Sequence, residues 1–167
     1  MNSSSRRFLF PLSLLLIIFF LDQLTKAIVV KTLPLNTPQP LIGTFFQFTY
    51  IRNPNAAFGI SLGDRVPLLP FAIIAILILI FIFFRTHHEN RHERLAIGFI
   101  LGGALGNLMD RIRFGEVVDF IDVGFHRFRW PVFNIADSAV TIGIILLIFG
   151  ATRKKRGGEK GALPSDS

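Results

Sequence analysis

The hydrophobic residues of this chain are gathered into four runs, separated by connections rich in polar residues, Pro and Gly. The run from Val66 to Phe84 contains no charged residue and no polar side chain. About 20 apolar residues in helical conformation cross the hydrocarbon layer of a bilayer, so this run predicts a transmembrane helix. The other three runs, Phe8 to about Val30, Leu95 to about Met109 and Val132 to Ala151, are each interrupted near one end by a polar or acidic residue. The pattern predicts an integral membrane all-α bundle of four transmembrane helices, with spans at about 8–30, 66–84, 95–111 and 132–151 in a single membrane domain of residues 1–167.

The connections differ in character. Residues 31–65 carry Pro34, Pro38, Pro40, Gly43, Gly59 and Gly63, which argues against another helix and for an outer loop with short strands. Within it, Phe45–Ile51 reads FFQFTYI, where Phe46, Phe48 and Tyr50 alternate with Gln47 and Thr49, so a strand there places aromatic groups on one face. Such a strand fits a small extracytoplasmic β-sheet packed on the helix ends, with Tyr50 at the lipid headgroups. It also fits a cradle on the membrane surface that holds an extended peptide. Residues 112–131 form a second outer loop, and 153–167 a disordered basic tail.

Composition supports lipid as the solvent of the apolar runs, since 51% of the 167 residues are hydrophobic and 19 are Phe, too much for a small soluble core. The absence of cysteine excludes disulfides, thiolate nucleophiles and Cys-based zinc or iron–sulfur sites. A net charge of +7 does not point to nucleic acid, because the cations sit at both ends and in the connections rather than on one face. Arg6 and Arg7, then Arg85, Arg91 and Arg94, then Arg153, Lys154, Lys155, Arg156 and Lys160 all fall on one side of a four-span chain. The opposite loops also carry Asp64, Glu116 and Asp122, and the bias places both termini in the cytoplasm. Arg6-Arg7 followed by FLFPLSLLLIIFF has the look of a secretory signal, but no small-residue cleavage pattern follows and the run continues through Asp22 and Lys26, so a retained first span is expected.

Carboxylates in or near hydrocarbon are costly and ask for a reason. Asp22, Asp110, Asp119 and Asp137 lie at the outer ends of their spans or in the outer loop beside them. In GGALGNLMDR, Asn107, Asp110 and Arg111 share a helical face, and Gly102 and Gly106 allow close approach of a neighbouring helix. Asp110 and Arg111 can be read as interfacial charges capping a helix end; for Arg111, contact with substrate or lipid headgroups is the favoured reading. Asn134, Asp137, Ser138 and Thr141 draw a polar stripe along the fourth run that must face protein or water. Asp119, in VVDF, can fold back toward Asp137, which suggests two carboxylates sharing one site. Such a pair resists double ionisation: the charged member can draw a proton from water while the protonated one polarises a peptide carbonyl, so amide hydrolysis needs neither metal nor cofactor.

Other signals compete. His88-Glu89-Asn90-Arg91-His92 spells the zinc-protease pattern H-E-x-x-H, but it sits in a polar connection opposite the aspartates, with no third ligand nearby. A Ser138/His126 mechanism has nothing to bring its members together. A proton-coupled transporter also relies on a membrane carboxylate, yet keeps it near the midplane, whereas these acids gather at one end. A structural subunit leaves the Asn134/Asp137 stripe unexplained unless a partner helix satisfies it.

FLDQLTK (residues 20–26), NPNAAF (53–58), GGALGNLMDR with FGEVVDF (within 102–120) and FNIADS (133–138) resemble, in order, the signature blocks of the lipoprotein signal peptidase, or signal peptidase II, family. The resemblance implies a four-helix enzyme of the bacterial cytoplasmic (inner) membrane with a small outer sheet and its active site at the outer face. Its substrates would be diacylglyceryl-modified prolipoproteins, cut just before the lipid-bearing cysteine. Asp119 and Asp137 would be the catalytic pair, Asn53, Asn107, Arg111 and Asn134 would line the substrate site, and Asp22, Lys26 and Asp110 would support it. By the same resemblance the enzyme needs no cofactor, contacts membrane lipid, is open to globomycin-type inhibitors and acts as a monomer. Asn55 stands where the family usually has glycine, a position at which Asn can still adopt left-handed backbone angles.

Overall fold

The computed structural model describes residues 3–54, 68–86, 91–125 and 127–160, with side chains for 9–54, 69–86, 91–125 and 127–150. The described residues form helix α1 (Ser3–Thr32), strands β1 (Gln39–Ile42) and β2 (Phe46–Asn53), helices α2 (Leu68–Arg85) and α3 (Arg91–Phe114), strands β3 (Val117–Phe125) and β4 (Phe128–Arg129), and helix α4 (Ile135–Lys160). Helix α3 is central and packs on α1, α2 and α4. Its small residues make that possible: a Cβ added at Gly103 would strike the Ala136 carbonyl of α4, and one at Gly106 would strike the Asp22 carboxylate of α1.

The bundle is apolar on its outside. Phe20, Leu24, Phe71, Phe81, Phe84 and Phe149 point outward, Phe84 with 72% of its surface exposed, while Asp22, Lys26, Asn107 and Asp110 are buried. That inversion suits helices whose outer faces meet lipid. Among the described residues two helices, Leu9–Thr32 and Arg91–Phe114, are long and apolar enough to cross a membrane; Leu69–Arg85 and Ile135–Gly150 are shorter apolar helices. Of the plainest span in the sequence, Val66–Phe84, the described residues show α2 from Leu68 to Arg85, and residues 55–67 lie outside them.

At one end of the bundle lies a four-stranded antiparallel sheet in the order β1-β2-β3-β4. Strand β2 pairs with β3 in a register that sets Ile51 opposite Asp119 and Asn53 opposite Val117, with an irregularity between Phe48 and Ile51. Val29 of α1, Tyr50, Val118 and Phe120 form the cluster that seats the sheet on the bundle. Strands β3 and β4 fall within residues 112–131, the stretch expected as the second outer loop. Tyr50 corrects another expectation: it is 6% exposed inside that cluster rather than at the headgroups, and its hydroxyl accepts a hydrogen bond from Arg52 Nε at 2.6 Å. Gln47 and Thr49, on the other face, are buried too, because Thr49 donates to Asp122 at 2.6 Å.

Helix ends overrun the apolar runs. Helix α3 begins at Arg91, in the stretch read as a polar connection, and runs to Phe114, where Gly115 at φ 76° caps it and donates to the Arg111 carbonyl at 3.0 Å. Helix α4 continues to Lys160, into the stretch expected to be a disordered tail from 153; Arg and Lys are good helix formers, and extending a helix already nucleated is cheap.

Candidate active site

Three helices and two strands bring their polar residues to the sheet end of the bundle. Asn134 is the N-cap of α4: its Oδ1 accepts the Asp137 N–H at 2.9 Å, and the Asp137 carboxylate accepts the Asn134 N–H at 3.3 Å, the reciprocal bonds of a capping box. A third N–H of this helix start, that of Ala136, donates to Asp22 Oδ1 of α1 at 2.9 Å. Negative charge is favoured at a helix N-terminus, so the local rule that starts α4 also collects carboxylates there.

Behind the cap lies Lys26, 3% exposed. Its ammonium reaches Asp22 Oδ2 at 2.8 Å, Asp110 Oδ2 at 2.8 Å and Asn107 Oδ1 at 2.9 Å, three acceptors for its three N–H groups. Gln23 Nε2 ties the same acids together, at 3.2 Å to Asp22 Oδ2 and 3.1 Å to Asp110 Oδ1, and Asp110 Oδ2 also accepts the Val118 N–H of β3 at 3.1 Å. Asp110 is therefore not an interfacial charge capping a helix end; it is fully buried and joins α1, α3 and the sheet.

Asp119 and Asp137 stand in front of this layer. Asp119 accepts Asn134 Nδ2 at 2.6 Å on Oδ1 and Asn53 Nδ2 at 2.8 Å on Oδ2, and Asp137 Oδ1 accepts Asn107 Nδ2 at 2.8 Å. Asn134 Nδ2 also reaches Asn107 Oδ1 at 3.1 Å and the Val118 carbonyl at 3.2 Å. Burial pushes the Asp119 carboxyl up from the ordinary 3.8 to about 7; the nearby Asp137 charge adds to this, while the bonds from Asn53 and Asn134 and the Lys26 charge oppose it. Arg111 is half-buried, donates to the Asn107 carbonyl at 3.3 Å, and its field reaches Asp137, Asp119 and Asp110.

All nine residues singled out in the sequence are thus gathered at one end. Gln23 was missed, although a polar residue beside Asp22 in an apolar run carries the same signal, and the N-x-x-D spacing of Asn134 and Asp137 is legible as a cap. His88, Glu89, His126 and Asn55 lie outside the described residues. His92 is exposed in the first turn of α3, 18 residues and so about 27 Å from Asp110. Among the described residues no group of three or more His, Cys, Asp or Glu could hold a metal ion. The Ser138 hydroxyl donates to the Asn134 carbonyl at 2.9 Å, inside its own helix.

A buried carboxylate held near neutral titration and a half-buried one beside it, both fixed by amide donors, are equipped for acid–base hydrolysis at the end of an apolar bundle, the class of an aspartic peptidase. Comparison with known proteins gives the family. The signal peptidase (SPase) II family profile matches residues 14–153. A lipoprotein signal peptidase of Syntrophotalea carbinolica is 42% identical over 135 residues, covering 79% of this chain and 84% of the relative. One from Syntrophus aciditrophicus is 41% identical over 157 residues, covering 87% and 96%. A bacterial membrane enzyme solved by the in meso method at 2.3 Å superposes with a TM-score of 0.80 at 32% identity, covering 94% of this chain and 93% of that one. The chain belongs to the signal peptidase II family and is a peptidase.

Proposed function

We propose that this chain removes the signal peptide from diacylglyceryl-modified prolipoproteins, cutting N-terminal to the lipidated cysteine, with Asp119 and Asp137 as its catalytic pair. The observation that carries the reading is the sharing of Asn134 between the two carboxylates, which holds both at one end of the bundle. Attack by water on the scissile carbonyl passes a proton to the charged carboxylate, while the protonated carboxyl gives its proton to the carbonyl oxygen. Collapse of the tetrahedral diol breaks the C–N bond, returns a proton from a hydroxyl to the second carboxylate and delivers the first proton to the leaving amine. Neither a metal nor a cofactor takes part. Asn53, Asn107, Arg111 and Asn134 line the substrate site, and Asp22, Lys26 and Asp110 brace it.

In this reading all four helices cross the bacterial cytoplasmic (inner) membrane, at about 8–30, 66–84, 95–111 and 132–151, with both termini in the cytoplasm and the sheet outside. The outward Phe and Leu side chains and the distribution of Lys and Arg support that topology. The enzyme works as a monomer surrounded by lipid and, by its family resemblance, is open to globomycin-type inhibitors. The test is cleavage of a purified diacylglyceryl-modified prolipoprotein in detergent, with chelator present. Wild type is expected to cut, and Asp119→Asn and Asp137→Asn to lose about 10²- to 10⁴-fold or more in rate. Undiminished cleavage by both folded variants would remove the dyad, and failure of the wild type to cut would remove the lipidated prolipoprotein as its substrate.

A further inference from the structure

The amide orientations around the dyad are imposed rather than free. An ammonium can only donate, so Lys26 at 2.9 Å, joined by the Asn134 NH₂ at 3.1 Å, holds the Asn107 oxygen toward itself and turns the Asn107 NH₂ to Asp137 Oδ1. A backbone N–H can only donate, so the Asp137 N–H fixes Asn134 Oδ1 and turns its NH₂ toward Asn107 and Asp119. Both oxygens of Asp137 consequently face groups that cannot accept a proton: the locked Asn107 NH₂ and the Asn134 N–H. The Oδ2 of Asp119 instead faces a side-chain amide, Asn53, and a side-chain amide can turn its oxygen to a protonated carboxyl, which a backbone N–H cannot.

We propose that Lys26 is a positioning residue that acts through the Asn107 amide to make Asp137 the member of the pair that stays charged. Asp137 then takes the proton from the attacking water, and Asp119 gives its proton to the carbonyl oxygen. On collapse Asp137 protonates the leaving amine and Asp119 recovers a proton from the diol, so both return to their starting states. The near-neutral titration of Asp119 agrees with its carrying the proton. The charged groups acting on Asp137 are Lys26 of α1, Arg111 of α3 and Asp119 of β3, with Asp22 and Asp110 paired to Lys26 behind them, and exchanging the Asn107 amide leaves all of them in place.

This rests on the proposed dyad, and the experiment separates the two. The pH dependence of kcat on the lipidated prolipoprotein is measured for wild type, Asn107→Ala, Asp110→Asn, the pair Asp110→Asn/Lys26→Met, which removes one anion with the cation, and the triple variant. Loss of a hydrogen bond to a charged group moves a titration by about one to two pH units. The acid limb should rise by that amount in Asn107→Ala and in the cation-free pair, stay in place in Asp110→Asn, and rise no further when the pair is combined with Asn107→Ala. A uniform loss of kcat at every pH, or an acid limb that moves again in the triple variant, overturns the role of Lys26. If the cation-free pair does not fold, Asn107→Ala decides alone, and an unmoved acid limb overturns the proposal. Cleavage that survives Asp119→Asn and Asp137→Asn sinks the dyad instead.

Discussion

Along α3, the half from Arg91 to Ala104 and the half from Leu105 to Phe114 are enclosed by overlapping neighbours in different ways. In the first, Ile97 and Leu101 interlock with Ile76 of α2, Leu15 of α1 and Leu147 of α4, and Arg94 lies over the Phe83 ring, 4.9 Å from its centroid. In the second, Asn107 and Asp110 meet Lys26 and Asp137 through directed bonds. An apolar contact inside a bilayer gains little over contact with lipid tails, so the first half is held by fit. A polar contact there has no substitute in lipid, so each donor in the second half dictates its acceptor. Position is specified by hydrogen bonds, and the apolar half supplies the mould.

The largest expected effect on stability comes from Asp119. Its folded carboxyl holds a proton to about 7, while an unfolded one releases it near 3.8. Between those values the native state binds more protons, so this group's contribution to stability is greatest below about pH 4 and is lost as pH rises toward 7, a change of roughly 4 kcal/mol. Thermal melts in detergent at pH 5 and pH 8 should therefore show a steeper loss for wild type than for Asp119→Asn; parallel slopes would deny the perturbed titration. Next in size is Gly103→Ala, where the new methyl meets the Ala136 backbone and must part α3 from α4 at the active-site end. Overpacking of this kind costs about 1–3 kcal/mol, and cleavage should fall by more than the melting temperature alone predicts. A variant that keeps full activity would mean the helices are not pressed together there. The smallest effect belongs to Ile97→Val in the apolar half, about 1 kcal/mol or less. Its pH–rate profile should overlay the wild type, and a displaced limb would show that the mould and the polar layer are coupled.

Lipid makes the sequence unusually readable where it matters most. A carboxylate in an apolar run is conspicuous, and Asp22, Asp110 and Asp137 stand out without any knowledge of their partners. Hydropathy marks where the bilayer lies, not where backbone hydrogen bonding ends, which is why α1, α3 and α4 outrun their apolar stretches. Strand β3 escaped notice because its partner β2 lies more than 60 residues earlier, and strand pairing is decided by such distant neighbours. Tyr50 was misplaced for the same reason: an amphipathic ring suits headgroups or a core equally, and only Val29, Val118 and Phe120 together decide. The Asp110 environment likewise required Lys26 from a helix more than 80 residues away.

The bonds of α1 have a further consequence for an enzyme of this family. An apolar helix near the N-terminus with Arg6 and Arg7 close to its start has the outline of the segments that signal peptidases detach. Here that helix runs unbroken to Thr32, and it is riveted by Lys26 to α3 and by Asp22 to the first turn of α4. The charges of α1 are thus tied into the polar layer behind Asp119 and Asp137, and this helix is held to two neighbours by directed bonds that a purely apolar segment could not make.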